Sequence, residues 1–438
     1  MKQVSIGVLG CGNVGRAFAS LLDQRRAAIL ARTGVELRVT RIAVRSLRKD
    51  RGLNLAPEVF TDDPMSVVED PDVDIIVELI GGIDVPLGLL RRAIELNKPV
   101  VTGNKALLAT HGAELFGTAD SAGVDFLFEA AVAGGIPLMR PLRESLAGEP
   151  VRRVMGILNG TTNYILTRMS EAGIDYPEAL LEAQELGYAE ADPTADVEGH
   201  DAGAKAAIIA SIVFGAVVQS SDVFHEGISN ITTEDVSVAD RMGFAVKAIA
   251  VVEALGDHAA NDLEIAIRVH PAFVAKSHPL AAVRDSFNAV FIEGEAVGDL
   301  MFYGRGAGGR PTASAVLGDV VDAATNMVHG TPGRIGALAP ARIRPMDDLR
   351  SAFYMSLAVT DRPGVLAQVA DVFGRHGVSI QSMEQQAVGG QRLGDRARLI
   401  FITHESRESA VKATMAELRH LDVVLDVHRA IRVIGGEV

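Results

Sequence analysis

The sequence contains a single cysteine, Cys11, so no intrachain disulfide can form, and such a chain is expected in a reducing compartment. Basic residues are outnumbered: 42 lysines and arginines face 56 aspartates and glutamates, a net charge of -14. That balance lacks the cationic surface that nucleic acid or an anionic membrane calls for, and neither is an expected partner. No stretch reaches the roughly 20 uninterrupted apolar residues of a membrane span. The apolar run after Lys2 is broken by glycines and continues as a strand and turn, not toward a leader cleavage site. The 11 histidines show no HExxH-type spacing, and one cysteine cannot supply a thiolate pair, so a zinc site has no sequence support. A cytoplasmic location is the expectation these absences leave.

The 438 residues exceed one ordinary core, and with 48% hydrophobic residues two or three globular domains are expected. Residues 2 to 10 alternate toward apolar and run into Gly10, Gly12 and Gly15, after which Ala17 to Leu22 read as a helix. Further strands are expected at Glu36 to Val44, Val73 to Leu79, Pro99 to Thr102 and Val124 to Phe128, with helices from about Pro86 and Lys105. Strand and helix in alternation predict a parallel, doubly wound α/β domain over 1–135. From 136 to 308 longer helical runs, such as Ala202 to Val218, and strands near Glu264 to Val269 and Ala289 to Gly294 predict a second α/β domain. Residues 331–350 are rich in glycine, proline and arginine and read as a linker. Residues 351–438 divide into strand, helix, strand, strand, helix, strand, the βαββαβ pattern of a ferredoxin-like module.

The spacing Gly10-x-Gly12-x-x-Gly15 has a physical reading. The first glycine allows a tight turn, the second lets backbone approach a pyrophosphate, the third lets helix pack on strand, and the helix N-terminus favours the anion. Placement between a strand and a helix is the context that makes this short motif informative. An NAD site normally carries an acid at the end of the second strand to bind the ribose 2′-hydroxyl. Here that strand ends at Arg45, with Lys49 just beyond, which predicts NADP(H) over NAD(H), Arg45 and Lys49 facing the 2′-phosphate. The alternative is a pair of solvated loop cations.

Ala183 to Lys205 concentrates Glu190, Asp192, Asp196, Glu198 and Asp201 ahead of Lys205. Asp201 and Lys205 are four apart and share a helix face. Carboxylates can bind an ammonium group, and a lysine near them can be oriented for proton transfer. An exposed loop with an ordinary ion pair is the bland alternative.

At Ala183, Gly187, Pro193, Asp196, Gly199, Asp201 and Lys205 this segment fits every fixed position of a family signature, and over residues 1 to about 330 the sequence resembles the homoserine dehydrogenase family. The stretches Val101 to Ala109, Phe128 to Pro137, Gly156 to Tyr164 and Gly304 to Ala313 are similar to it as well. The resemblance implies reversible NAD(P)H-dependent reduction of L-aspartate 4-semialdehyde to L-homoserine, toward threonine, methionine and isoleucine. It implies Lys205 as the acid/base, with Lys105 beside nicotinamide and substrate; either lysine could hold the catalytic proton on sequence alone. Glu190 and Asp201 would bind the substrate ammonium, with Asp196, Thr161 and Lys105 completing the pocket. Gly10, Gly12, Asn13, Val14, Gly15, Ile80, Lys105, Gly187 and Gly308 would contact the cofactor. Glu129, Val132, Gly134 and Ile136 would hold sodium or another monovalent cation, and a helix from Gly309 to Met327 would return to the nucleotide domain.

The segment Val359 to Ala367, with Asp361, Pro363 and Gly364, looks like the first strand-to-helix turn of ACT domains, which resemble amino-acid sensors that pair side by side. The implied effector is L-threonine, and the implied assembly a homodimer or homotetramer.

Overall fold

The computed structural model describes residues 2–255, 263–388 and 396–435. In β1 (Lys2–Leu9) Val4, Ile6, Val8 and Leu9 are all buried, as expected of a parallel strand covered on both faces. Helix α1 (Asn13–Thr33) follows the glycine turn and ends where Gly34 takes φ 73° and donates its N–H to the Leu30 carbonyl. Strands β2 (Val35–Ala43), β3 (Phe60–Thr61), β4 (Ile75–Glu78), β5 (Val100–Thr102) and β6 (Phe126–Leu127) join β1 in the parallel order β3-β2-β1-β4-β5-β6. This is the Rossmann order, and it opens a ligand crevice beside β1 and β4, where the winding reverses. The expected strands lie within a few residues of those observed; β3 was not anticipated, because two residues carry no period. Helices α2 (Asp84–Glu95) and α3 (Lys105–Ala122) complete this half.

A second sheet begins with β7 (Val151–Ile157), followed by α4 (Gly160–Ala172) and α5 (His200–Phe214). It continues with β8 (Phe244–Leu255), β9 (Glu264–Ala275), β10 (Phe287–Gly294) and β11 (Asp299–Arg305). Helix α6 (Gly309–His329) returns to the first domain, where Ala313, Val316 and Val320 pack with Phe18 and Leu22 of α1. The sequence reading missed β7, β8 and β11 and caught only the first half of β9. All 12 residues of β9 are buried, so the strand shows no alternation to read.

The C-terminal module contains β12 (Arg350–Thr360), α7 (Val365–Arg375), β13 (Ile380–Val388), β14 (Arg396–Thr403), α8 (Glu408–Leu418) and β15 (Val424–Ile434). Helix α7 buries Val365, Val369, Val372 and Phe373, the one-sided stripe that lays it on a sheet. The antiparallel order β15-β12-β14-β13 is that of a ferredoxin-like fold.

This module is not a separate bead. Strand β15 pairs in parallel with β9, from Ala272 opposite Arg432 to Val274 opposite Ile434, so the second sheet runs without a break as β11-β10-β7-β8-β9-β15-β12-β14-β13. Phe273 stacks on Tyr354 across the junction at 4.5 Å between ring centroids. Pro271 has no N–H to offer a neighbour, and it falls in the gap between the pairing of Phe224–His225 with Arg268 and Val269 and that of β15, which starts at Ala272. The 331–350 segment is likewise pinned: Ala339–Pro340 pairs with Ala216–Val217, Arg342–Ile343 with Glu264 and Ile265, and Arg344 forms an ion pair with Glu264. Among the described residues no helix is long and apolar enough to cross a membrane.

Candidate active site

The glycine turn is built as its spacing demands. Gly10 has φ 98°, and a Cβ there would meet the Leu79 carbonyl oxygen at 2.7 Å; a Cβ on Gly15 would lie 2.2 Å from the Gly10 oxygen. Nothing lies within 4 Å of a Cβ position on Gly12, at the N-terminus of α1. The turn is thus closed on its protein side and open where a pyrophosphate would approach, so these residues fit a dinucleotide. A groove of about 740 Å³ extends from it, walled by Gly10, Gly12, Arg45, Lys49, Arg51 and Ile80. Lys105, Gly187 and Gly308 are not part of that wall. Gly308 instead caps α6, which begins beside Asn13, and Gly187, with φ 75°, turns the chain toward Tyr188.

Arg51 escaped the sequence reading. Its guanidinium donates to the backbone oxygens of Lys49 at 2.6 Å and Ser46 at 2.8 Å, shaping the loop that presents Arg45 and Lys49. Glu78, fully buried at the end of β4, accepts from the N–H groups of Ile80 at 2.8 Å and Gly81 at 3.1 Å and from the Thr102 hydroxyl at 2.6 Å. It fixes the opposite wall.

Between the two domains the acid-rich segment and the lysines converge. Asn104 caps α3 by accepting from the Leu107 N–H and donates to the Gly82 carbonyl, which puts Lys105 on the first turn. From α5, Asp201 in the first turn and Lys205 one turn later project together, with Nζ 2.7 Å from Oδ2. The Lys205 Nζ also donates to the Leu158 carbonyl at 2.7 Å, at the end of β7. The other Asp201 oxygen pairs with Lys105. Burial alone would raise the Asp201 carboxyl, but the Lys205 and Lys105 ammonium groups overcome it and hold the group well below the usual carboxylate range.

Asn159 ties this cluster together. Its carbonyl oxygen is used as the cap of α4, accepting from the Thr162 N–H, so its NH₂ must face the carboxylates; it donates to Asp196 at 2.6 Å and to Asp201 at 3.0 Å. Burial pushes the Asp196 carboxyl up, with the Asn159 amide opposing. An asparagine before Gly160 and Thr161 is a legible helix-cap signal, but its grip on two aspartates from another segment is visible only once α5 is docked. Thr161 donates to the Tyr188 carbonyl at 2.6 Å. Glu190 is exposed at the rim. Side-chain exposure separates the lysines, at 46% for Lys105 and 11% for Lys205.

Glu129, Val132, Gly134 and Ile136 sit on one tight turn in which Ala133 and Gly134 have positive φ. The Glu129 carboxylate is held by the N–H groups of Leu138, Met139 (2.7 Å) and Arg140 (3.0 Å), and its own N–H donates to Asp319 at 2.8 Å. Asp319 is pushed up to about 8 by burial and by the neighbouring Glu129 charge. Among the described residues no group of three or more His, Cys, Asp or Glu could hold a metal, so a cation on this turn would depend largely on backbone carbonyls.

The chain is similar to known proteins over its whole length. Residues 10–129 match the family model "Homoserine dehydrogenase, NAD binding domain", 137–321 match "Homoserine dehydrogenase", and 354–422 match "ACT domain". The homoserine dehydrogenase of Corynebacterium glutamicum is 47% identical over 433 residues, 98% of this chain and 96% of that one. A crystal structure of a homoserine dehydrogenase from Thiobacillus denitrificans superposes with a TM-score of 0.90 at 39% identity, covering 99% of this chain and 98% of that one. A hyperthermophilic archaeal homoserine dehydrogenase in complex with NADPH matches with a TM-score of 0.62 at 30% identity, covering 73% of this chain and 97% of its own.

Proposed function

The chain belongs to the homoserine dehydrogenase family, NAD(P)-dependent oxidoreductases, and from that premise we propose how its own residues carry out the reduction of L-aspartate 4-semialdehyde. The observation that carries the reading is Asp201 held between Lys205 of the second domain and Lys105 of the first. The bound nicotinamide supplies the hydride. As charge develops on the aldehyde oxygen, an ammonium must stabilise and then protonate it. Lys205 has three N–H bonds, two of them given to Leu158 and Asp201, which leaves one for that oxygen. Asp201 fixes the direction of Lys205, and Asn159 fixes Asp201. Glu190 and Asp201 take the substrate ammonium, Asp196 and Thr161 complete the pocket, and Lys105, the more exposed lysine, lies beside substrate and nicotinamide. Consumption of NADPH by the purified chain, dependent on L-aspartate 4-semialdehyde, is the direct test. A chain that binds NADPH yet turns over no semialdehyde would remove the assignment.

The cofactor is NADP(H) in preference to NAD(H), because no acid ends β2 and Arg45, Lys49 and Arg51 line that end of the groove. Arg45→Glu should cut the NADPH:NADH ratio of kcat/KM by about tenfold or more, the value of one charge-assisted contact. An unchanged ratio would clear Arg45 of the role. A monovalent cation would be held by the Glu129 carboxylate and the carbonyls of Val132, Gly134 and Ile136, oxygen donors suited to a hard ion. The domain division 1–135, 136–308 and 351–438, a homodimer or homotetramer, and a cytoplasmic location complete the reading.

L-Threonine is the proposed effector of the C-terminal module. A cavity of about 370 Å³ lies at Asp361, Arg362, Gly364 and Gln385, where a carboxylate and a guanidinium could meet the two ends of an amino acid. Asp361→Ala should raise the threonine concentration for half-inhibition about tenfold, as loss of one charged hydrogen bond does. Inhibition unchanged in this variant would place the effector elsewhere.

A further inference from the structure

A cavity of about 810 Å³, comparable with the cofactor groove, lies where the second sheet passes from β9 to β15 and curls over the start of β12. It shares no lining residue with the cavity at the Asp361 loop. In a chain of net charge -14 its wall carries six arginines against three carboxylates, Glu253, Asp348 and Glu405. The deep arginines are committed: Arg268 to Glu253 at 2.6 Å, and Arg432 to Glu408 and Glu226. Arg350 and Arg407, side by side on β12 and its neighbouring Ser406–Arg407 strand, are exposed at the rim; Arg350 donates to the Glu405 backbone carbonyl at 2.8 Å, and no carboxylate pairs with either in the ion pairs found among the described residues.

The floor holds polar atoms that lack partners. His270 is 1% exposed; its Nδ1 lies 3.0 Å from the Pro271 carbonyl, which can only accept, so Nδ1 carries the proton and Nε2 is an acceptor with nothing donating to it. The Arg268 Nε is also without a partner, on a residue 6% exposed. Buried polar atoms are ordinarily satisfied; His270 lies beside Pro271 in the gap between the two edge pairings, and Arg268 just before it, paired with Phe224. Met155, Val251 and Val433 supply an apolar wall.

We propose that this cavity is a second amino-acid-binding site, for a free aliphatic L-amino acid, bridging the catalytic sheet and the C-terminal module. The carboxylate would meet the rim guanidiniums, the ammonium would donate to His270 Nε2, and the side chain would lie on Met155 and Val251. Both charge signs in the wall fit a zwitterion and disfavour a bare phosphate, which the carboxylates would repel. A ligand there would touch β9 and β12 at once, so its binding and the seating of the module are linked.

Isothermal titration of the full chain tests this, with L-isoleucine and L-methionine as zwitterionic probes, hexanoate as an anion lacking the ammonium, and inorganic phosphate. At least one amino acid should bind, more tightly than hexanoate or phosphate. Its affinity should fall about tenfold or more in Arg350→Ala/Arg407→Ala, which removes charged hydrogen bonds, and stay unchanged in Asp361→Ala. His270→Leu, which keeps the strand apolar, should weaken binding as well and serves if the arginine variant unfolds. The proposal is overturned if no amino acid binds, if phosphate or hexanoate binds as well, or if Asp361→Ala abolishes binding that both cavity variants retain. The last result would leave the threonine loop standing and remove only this second site.

Discussion

Lys205→Ala is expected to lower kcat by about 10²-fold or more, the usual contribution of a positioned acid, with NADPH affinity unchanged. The argument is geometric. Lys205 is buried, directed by Leu158 and Asp201, and set on a helix that contributes nothing to the dinucleotide groove wall. Lys105→Ala should behave differently, because its half-exposed side chain lies outside the cluster's buried core; KM for the semialdehyde should rise more than kcat falls. Pre-steady-state and steady-state kinetics on both variants, with NADPH binding followed by fluorescence, separate the two roles. A Lys205→Ala enzyme with near-parental kcat would transfer the proton to another group, Lys105 first.

Ending the chain at Arg344 is expected to destabilise the catalytic domain itself, not merely to remove a sensor. The cut takes away β15, the partner of β9, and exposes an unpaired strand edge at Ala272 to Val274. It also uncovers Phe273, Phe244 and Val246, which share a buried cluster with Tyr354, Ile400, Ile402 and Ile431. Each large apolar side chain moved into water costs about 1.5–3 kcal/mol. A few such losses consume much of a stability of about 5–15 kcal/mol. Glu226 would also lose its contact with Arg432. The truncated chain should therefore unfold at markedly lower temperature than the full chain, or aggregate, as scanning calorimetry and light scattering would show. An unfolding temperature equal to that of the parent would mean that the shared sheet contributes little to the catalytic fold. The archaeal NADPH complex is covered over 97% of its length by 73% of this chain, so the family tolerates shorter members. What this sequence lacks is a polar edge in place of β15. Point variants at Asp361 are for that reason the cleaner test of threonine control.

The glycine turn, the parallel character of the first sheet and the six elements of the C-terminal module were all legible in the sequence. Each rests on local rules: glycine where φ is positive, apolar periodicity, turn residues between elements. Asp201 and Lys205 could be paired on spacing alone, since four residues along one helix fix a shared face. Tertiary structure decided the rest. Asn159 and the Leu158 carbonyl join the site because β7 ends beneath α5, a contact more than 40 residues apart in sequence that no period encodes. Strand β9 was half invisible because burial on both faces erases alternation, and with it went the continuity of the catalytic and C-terminal sheets. The linker composition at 331–350 suggested independence for the last module. Edge pairing, which depends on which backbone groups remain unsatisfied after folding, fused the two instead.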